Sequence, residues 1–400
     1  MNTAAGCASP TMVRGLIVVL CFAINMIDGM DVNILSYLAP DIQNNWHIPS
    51  DIMGSIFSAG LAGMAVGGLL LAPQADKYGR GNIILLALAL MSGGMIASGL
   101  IHSVAMLMLA RFIVGIGIGA ALAAMAALGA EAMAGPWQNF GVGLIQAGYP
   151  LAAVFTGLVI ARVLHGMGWQ TLLLDAGLLS LVMLPLSWLV LRDDKAGHKQ
   201  QARVSEAIAQ LFAKEIRSAT LLLFATIFLG LMVLFVVVSW ITKLSIAAGL
   251  SPTNAIYAGA LYNSGAFVGT FSMSLLATRI RLTRLIPALF SGAILAMLVF
   301  GGVKMAVAET LLVAFMIGVT LQGGFNGVWP LSARLFPEKV RATGIGWVVG
   351  VGRAGGIIGP QLMGVLMTTG MPLFFLFMTF CIPLALASFA VVLIGRHSRV

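Results

Sequence analysis

Apolar runs of about twenty residues recur along this 400-residue chain, each ended by a short polar break. A helix rising 1.5 Å per residue needs roughly 20 apolar residues to cross a bilayer. The breaks predict spans over 14–38, 51–73, 82–101, 105–129, 141–164 and 170–191, then over 219–242, 254–278, 285–303, 307–331, 342–367 and 372–395. The runs are continuous rather than alternating at every second residue, which favours helices over a barrel. The pattern therefore predicts an all-α membrane protein with twelve transmembrane helices in two pseudo-symmetric six-helix bundles, 1–191 and 219–400. "RDDKAGHKQQARVSEAIAQLFAKEIRS", residues 192–218, is the long charged stretch between them and reads as a cytoplasmic linker. A short amphipathic surface helix is expected within it, around Ala202 to Phe212.

Composition agrees: 60% hydrophobic residues, 9% charged residues and a mean hydropathy of +1.02 exclude a soluble domain with a polar surface. Arg14, the 74–82 loop, the linker, the 279–284 and 332–341 loops and the C-terminal tail hold 17 of the 22 Lys and Arg residues. With twelve spans all of these lie on one side. By the positive-inside rule that side of a multi-pass membrane protein, with both termini, is cytoplasmic. The net charge of +9 thus needs no nucleic-acid partner. Arg162 and Lys304 fall outside, which leaves Arg111, Lys243 and Arg353 within or at the edge of spans. Arg14 before an apolar run would also suit a signal peptide, but the run continues past Asp31 without a cleavage site, so the first helix is expected to be retained.

The first span holds "NMIDGMDVNILSYLAP", residues 25–40, with two carboxylates where lipid would lie. Asn25, Asp28 and Asp31 recur at i, i+3 and i+6 and share roughly one face, which must point into protein. An ionised carboxylate at mid-bilayer costs about 2.5 to 3.5 kcal/mol on insertion scales, so each Asp is expected to be paired or protonated. "ADKYGRGN", residues 75–82, closes the turn between spans two and three. Asp76 can cap span three or meet a base on a neighbouring helix, and Gly79 permits the tight reversal. Span four opens "ARFIVGIGIGAALAA", where Gly115, Gly117 and Gly119 allow close packing and Arg111 cannot face lipid cheaply. A shift of 201 residues places Pro136 on Pro337, Gly117 on Gly318, Gly143 on Gly344 and Arg80 on Arg281, a faint internal repeat of the kind found in carriers whose halves rock about a central site. Cys7, Cys21 and Cys381 show no pairing or metal spacing. His47, His102, His165, His198 and His397 form no ligand set, and no nucleophile motif appears, so neither an enzyme nor a metal or other cofactor is expected.

"PQADKYGRGN" resembles the signature between spans two and three of the major facilitator superfamily, and "RFIVGIGIG" resembles its span-four signature. Within that superfamily the chain is similar to the aromatic acid:proton symporters, which show Asp-Gly-x-Asp then Ala-Pro in helix one, here "DGMDVNILSYLAP". They also show Arg-Ala-Thr-Gly-x-Gly-Trp with a later Gly-Arg and Gly-Pro, here "RATGIGWVVGVGRAGGIIGP", residues 341–360. The chain departs from the pattern in "EAMAGPWQNF" after span four, which lacks Lys and Arg, and in "ATRIRLTR", which lacks the Asp and Gly of its first-half counterpart. "GYPLAAVFTG" stands where antiporters carry a Gly-Pro-x-x-Gly-Gly pattern, which leans toward uptake.

The resemblance implies the major facilitator fold and proton-coupled import of an aromatic or related unsaturated carboxylate, of benzoate, hydroxybenzoate, protocatechuate or muconate type, by a single chain. Asp28 and Asp31 are then the expected proton-coupling groups, since a carboxylate alternating between wet and dry, or paired and unpaired, surroundings takes up and releases a proton. An organic anion needs a cation in the bundle. Arg353, among Gly350, Gly352, Gly355 and Gly356, can grip a carboxylate by two parallel bonds. Lys243 and Trp347 complete the expected substrate set. Trp240, Trp329, Tyr257 and Tyr262 are further candidates to stack a ring. Asp76, Gly79, Arg80, Arg111, Glu131 and Arg341 are expected to gate or brace the halves. An exporter, a carrier of another organic acid and a transporter-like receptor are the alternatives.

Overall fold

The structure, a computed structural model, describes residues 10–133, 138–164, 166–191, 211–213, 216–336 and 341–397. The surface helix expected in the linker lies outside the described residues except for its last two, Leu211 and Phe212, and the side chains of Asp76, Glu131 and Arg341 lie outside them as well. Among the described residues twelve long helices make up the fold: α1 (Pro10–Trp46), α2 (Ser50–Gln74), α3 (Arg80–Leu100), α4 (Val104–Ala132), α5 (Gln138–Val163), α6 (Trp169–Leu191), α7 (Arg217–Ala247), α8 (Pro252–Leu276), α9 (Leu282–Gly302), α10 (Val307–Leu335), α11 (Arg341–Thr368) and α12 (Leu373–His397). Ten are apolar enough to be recognised as spans by composition. The other two, α8 and α11, run 25 and 28 residues, about 37 and 42 Å at the helical rise, which exceeds a bilayer core of about 30 Å. Asn254, Asn263 and Arg353 lower their apolarity.

Helix α1 continues eight residues beyond its expected end at 38. Pro40 lies inside it, and a proline withholds only one backbone donor, a loss that membrane helices tolerate when neighbours compensate. The helix stops where His47 turns to φ 53° and the Ile48 N–H returns to the Gln43 carbonyl at 3.2 Å, a Schellman-type end in which His takes the place usually held by Gly. Helix α7 ends in the same manner, with Gly249 at φ 100° and Leu250 N–H on the Ser245 carbonyl at 3.1 Å. The turn before α3 pivots on Gly79, whose φ of 91° and ψ of 140° suit only glycine, as its place in "ADKYGRGN" predicts. Helix α8 opens with Ser251 accepting from the Asn254 N–H at 3.3 Å and Pro252 at its first position. Glu309 accepts from the Ala306 N–H at the start of α10. Helices α2 and α10 each contain a widened turn, Gly67–Leu71 and Gly318–Gln322.

By their contacts the residues gather into two units. The first comprises Met1–Val32, Gly63–Ala153 and Met167–Lys199; the second comprises Asn33–Ala62, Val154–Gly166 and Gln200–Val400. Within the first, α3 lies between α4 and α6, and α4 lies against the widened turn of α2. Within the second, α7 packs on α11 and α12, α9 on α12, and α8 on α10. The closest seams are made by glycine. A Cβ on Gly63 or Gly67 of α2 would overlap the Phe112 or Ile116 carbonyl of α4, and one on Gly265 or Gly269 of α8 would overlap the Phe315 or Val319 carbonyl of α10. Each pair is a Gly-x-x-x-Gly, the spacing that stacks two small residues on one helical face, and the two lie about half a chain length apart. The internal repeat thus has a packing counterpart inside each unit.

Candidate functional site

In the first unit, α1 meets α5 and α4 through its polar stripe. A Cβ on Gly29 would overlap the Tyr149 carbonyl, so α5 lies directly on α1, and Asn25 Nδ2 donates to the Ile145 carbonyl at 2.7 Å. Asp28 and Asp31 are each 2% exposed and Arg111 is 3% exposed. Arg111 is turned into protein, and further along α4 the helix is packed closely on two sides: a Cβ on Gly117 would stand 2.6 Å from the Ala87 carbonyl of α3, and one on Gly119 would overlap Met64 of α2. The guanidinium reaches back to α1 and α3. Nη1 donates to the Asp31 backbone carbonyl at 3.4 Å, and Nη2 to Ser98 Oγ at 3.2 Å and to the Met95 sulfur.

The guanidinium therefore holds the backbone of Asp31 and leaves the carboxylate to itself. Neither carboxylate oxygen of Asp31, nor Nε of Arg111, has a hydrogen-bond partner among the described residues. The charges still act on each other: Arg111 attracts Asp31 and Asp28 repels it. A buried ionised carboxylate without hydrogen bonds is costly, and one cation opposite two acids offsets only part of that cost. Such a group gains when it is neutralised.

Further along α1, in the second unit, the buried polar groups carry no charge. Asn263 of α8 donates to Asn33 Oδ1 at 3.1 Å, to the Gly259 carbonyl at 3.0 Å and, at 3.5 Å, to Tyr37 Oη. The Tyr37 ring lies where Gly157 and Gly259 leave room, and Ser36 Oγ donates to the Ser239 carbonyl at 2.9 Å. Sequence reasoning missed Asn33, Tyr37 and Asn263. Asn33 and Tyr37 stand one helical turn apart inside the very stretch that drew attention for its acids, so the extension of that stripe is the signal that could have found them.

The expected substrate residues do not form one group. Lys243 Nζ donates to Gln43 Oε1 and, at 2.9 Å, to Ser50 Oγ, and lies 5.8 Å from the centre of the Trp240 ring. Arg353 is half-buried on α11 and engaged with a neighbour. Its flanking Gly352 and Gly355 abut α7 between Ile227 and Leu231, at least twelve residues before Lys243, or about 18 Å of helical rise. Trp347 is 45% exposed. Trp240 is fully buried and committed elsewhere, with Nε1 on the Pro360 carbonyl at 3.0 Å and its ring edge-on to Phe57. Trp329 packs edge-on against Phe325, and Tyr262 is buried with no hydrogen-bond partner for its hydroxyl among the described residues. Arg80 is half-buried and engaged. Among the described residues no three His, Cys, Asp or Glu side chains come together as metal ligands.

Comparison with known proteins adds the lineage. Residues 21–360 match the family model described as Major Facilitator Superfamily. The chain is 31% identical to a 3-(3-hydroxy-phenyl)propionate transporter of Escherichia coli, over 88% of this chain and 86% of the relative. It is 27% identical to a gallate transporter of Pseudomonas putida, over 96% and 92%. A crystal structure of a D-xylose-proton symporter superposes with a TM-score of 0.72 at 14% identity, covering 94% of this chain and 97% of that one.

Proposed function

Because this chain belongs to the Major Facilitator Superfamily and is a multi-pass membrane transporter, we propose that it imports an aromatic or closely related unsaturated carboxylate across a bacterial inner membrane together with one or more protons. The substrate class is supported by relatives named for gallate and for 3-(3-hydroxy-phenyl)propionate. The six-helix halves 1–191 and 219–400 rock about a central site, with the linker 192–218 and both termini in the cytoplasm. Proton coupling rests on one observation: the Asp31 carboxylate is buried beside Arg111 with neither oxygen hydrogen-bonded among the described residues.

In the proposed cycle the outward-facing state takes a proton at the Asp28 and Asp31 pair, which removes the charge that would oppose occlusion. The two acids titrate together, and Asp31 is the one whose carboxylate is least supported when ionised. The substrate carboxylate binds at Arg353, with the exposed face of Trp347 against its ring. The halves then rock and release both inward, and loss of the proton restores the attraction between Asp31 and Arg111. Asp76, Gly79, Arg80, Glu131 and Arg341 brace the cytoplasmic side.

The test is uptake of labelled gallate, 3-(3-hydroxyphenyl)propionate, 4-hydroxybenzoate, benzoate and cis,cis-muconate by proteoliposomes under an imposed pH gradient. At least one acid should accumulate when the outside is acidified. Loss of internal solute on acidification would make the protein an exporter, and binding without flux would make it a receptor.

A further inference from the structure

Lys243 is a half-buried cation that the proposed cycle leaves without a task. Its ammonium is held by two neutral acceptors, Gln43 Oε1 at the end of α1 and Ser50 Oγ at the start of α2, and it faces the π surface of Trp240. Among the described residues no carboxylate lies within ion-pair distance of it. A hydrogen bond to a neutral acceptor is weaker than one between two charged groups, so this ammonium is satisfied in geometry and uncompensated in charge. Gln43 and Ser50 belong to the segment 33–62. That segment is tied to α7 and α11 by several further side-chain bonds: Ser36 to the Ser239 carbonyl, Ser55 to Gln361 Oε1 at 2.7 Å and Ser58 to the Ile357 carbonyl at 2.6 Å. Each can be broken without stranding a charge except at Lys243. When Gln43 and Ser50 withdraw, the ammonium is left bare, and a carboxylate is the partner that suits it best.

We propose that Lys243 is an anion-capture site distinct from Arg353, and that Gln43 and Ser50 are the neutral cover exchanged for the substrate carboxylate as the 33–62 segment opens and closes. The inference rests on the proposed import of an organic anion. It places Lys243 on the side away from the basic loops, about 18 Å of helix before the deeper arginine. Neutral acceptors suit this role because a carboxylate at position 43 would compete permanently with substrate.

The test compares Lys243→Met, Lys243→Arg, Gln43→Glu and Gln43→Leu in proteoliposomes, with the best-transported acid of the panel above. Its primary amide serves as an uncharged competitor. Lys243→Met should raise KM about tenfold with little change in maximal rate, as expected for loss of one charge-assisted hydrogen bond, while Lys243→Arg should stay near wild type. Gln43→Glu should raise KM at least as far, because it supplies a fixed anion. Gln43→Leu should leave KM unchanged or lower it. The amide should compete equally against wild type and Lys243→Met. Equal KM in wild type and Lys243→Met, or an equal rise in Gln43→Glu and Gln43→Leu, would show a structural staple and overturn the proposal. If Lys243→Met does not insert, the opposed effects of the two Gln43 substitutions decide alone. A wild-type protein that moves no acid overturns the transport reading instead.

Discussion

Helix α1 carries two buried polar clusters a few residues apart, and they solve the same problem in opposite ways. The later one, around Asn33 and Tyr37, is neutral, and the two N–H donors of Asn263 knit it together by reaching three acceptors. The earlier one, around Asp28 and Asp31, is charged and under-bonded: Asp31 and Arg111 both keep polar atoms with no hydrogen-bond partner among the described residues. A finished network favours a single state, because any change breaks bonds it has already made. An unfinished charged cluster favours change, since a proton arriving or leaving alters its energy by more than any one hydrogen bond. The contrast separates the part of α1 that reacts from the part that only holds.

The largest effect should follow from removing the reactive carboxylate. Asp31→Asn and Asp28→Asn should each abolish uptake driven by a pH gradient while leaving membrane insertion intact. Asp31→Asn, which imitates the protonated form, should retain exchange of labelled for unlabelled substrate at equal concentrations, because exchange requires no net proton movement. Normal gradient-driven uptake in both variants would falsify the coupling role.

Next comes the cation. Arg111→Gln leaves Asp31 buried without its opposing charge, and breaking such a pair costs about 3 to 5 kcal/mol. A fall in thermal stability of several degrees or failure to insert is expected. The double variant Asp31→Asn with Arg111→Gln should recover most of that stability and none of the coupling. If it is as unstable as Arg111→Gln alone, the arginine acts through Ser98 and the Asp31 backbone carbonyl rather than through charge.

How much of this could be read from the chain depended on whether a residue contradicts its surroundings. Asp28, Asp31 and Arg111 stand out because a charge in an apolar run demands an explanation, and Gly79 stands out because few residues other than glycine close so short a turn. Asn33 and Asn263 do not stand out: a lone amide in a membrane helix is unremarkable until its partner, 230 residues away, is known. Gln43 was hidden for another reason. The first span is expected to end at 38, so Gln43 falls in an expected loop, whereas the helix runs on through Pro40 to Trp46 and presents it to Lys243. Lys243 and Arg353 differ in depth already by their places in the expected spans, one at the outer end of 219–242 and the other midway along 342–367, whereas the neutral partners of Lys243 appear only when the end of α1 and the start of α2 are placed beside α7.

The glycine seams offer a control in which the two units should behave alike. Gly63→Ala in α2 and Gly265→Ala in α8 each push a methyl group into a backbone carbonyl, an overpacking that costs about 1 to 3 kcal/mol. Comparable losses of thermal stability in the two variants, measured in detergent, would show that the repeated spacing does the same packing task twice. A loss confined to one would mean that only that seam is stressed in the state studied.

The smallest effect should come from the finished network. Asn263→Ala removes two N–H donors shared among three acceptors but leaves no charge uncompensated, and the abandoned acceptors are Asn33 Oδ1, Tyr37 Oη and a helical carbonyl already bonded along its own chain. About 1 to 2 kcal/mol of stability is expected to be lost, with the dependence of uptake on the pH gradient unchanged. A changed ratio of protons to substrate in Asn263→Ala would break the contrast between the clusters. It would mean that the neutral cluster senses the protonation of the acids one to two turns earlier on α1, and that the helix works as one titrating unit rather than as a reactive segment joined to a passive one.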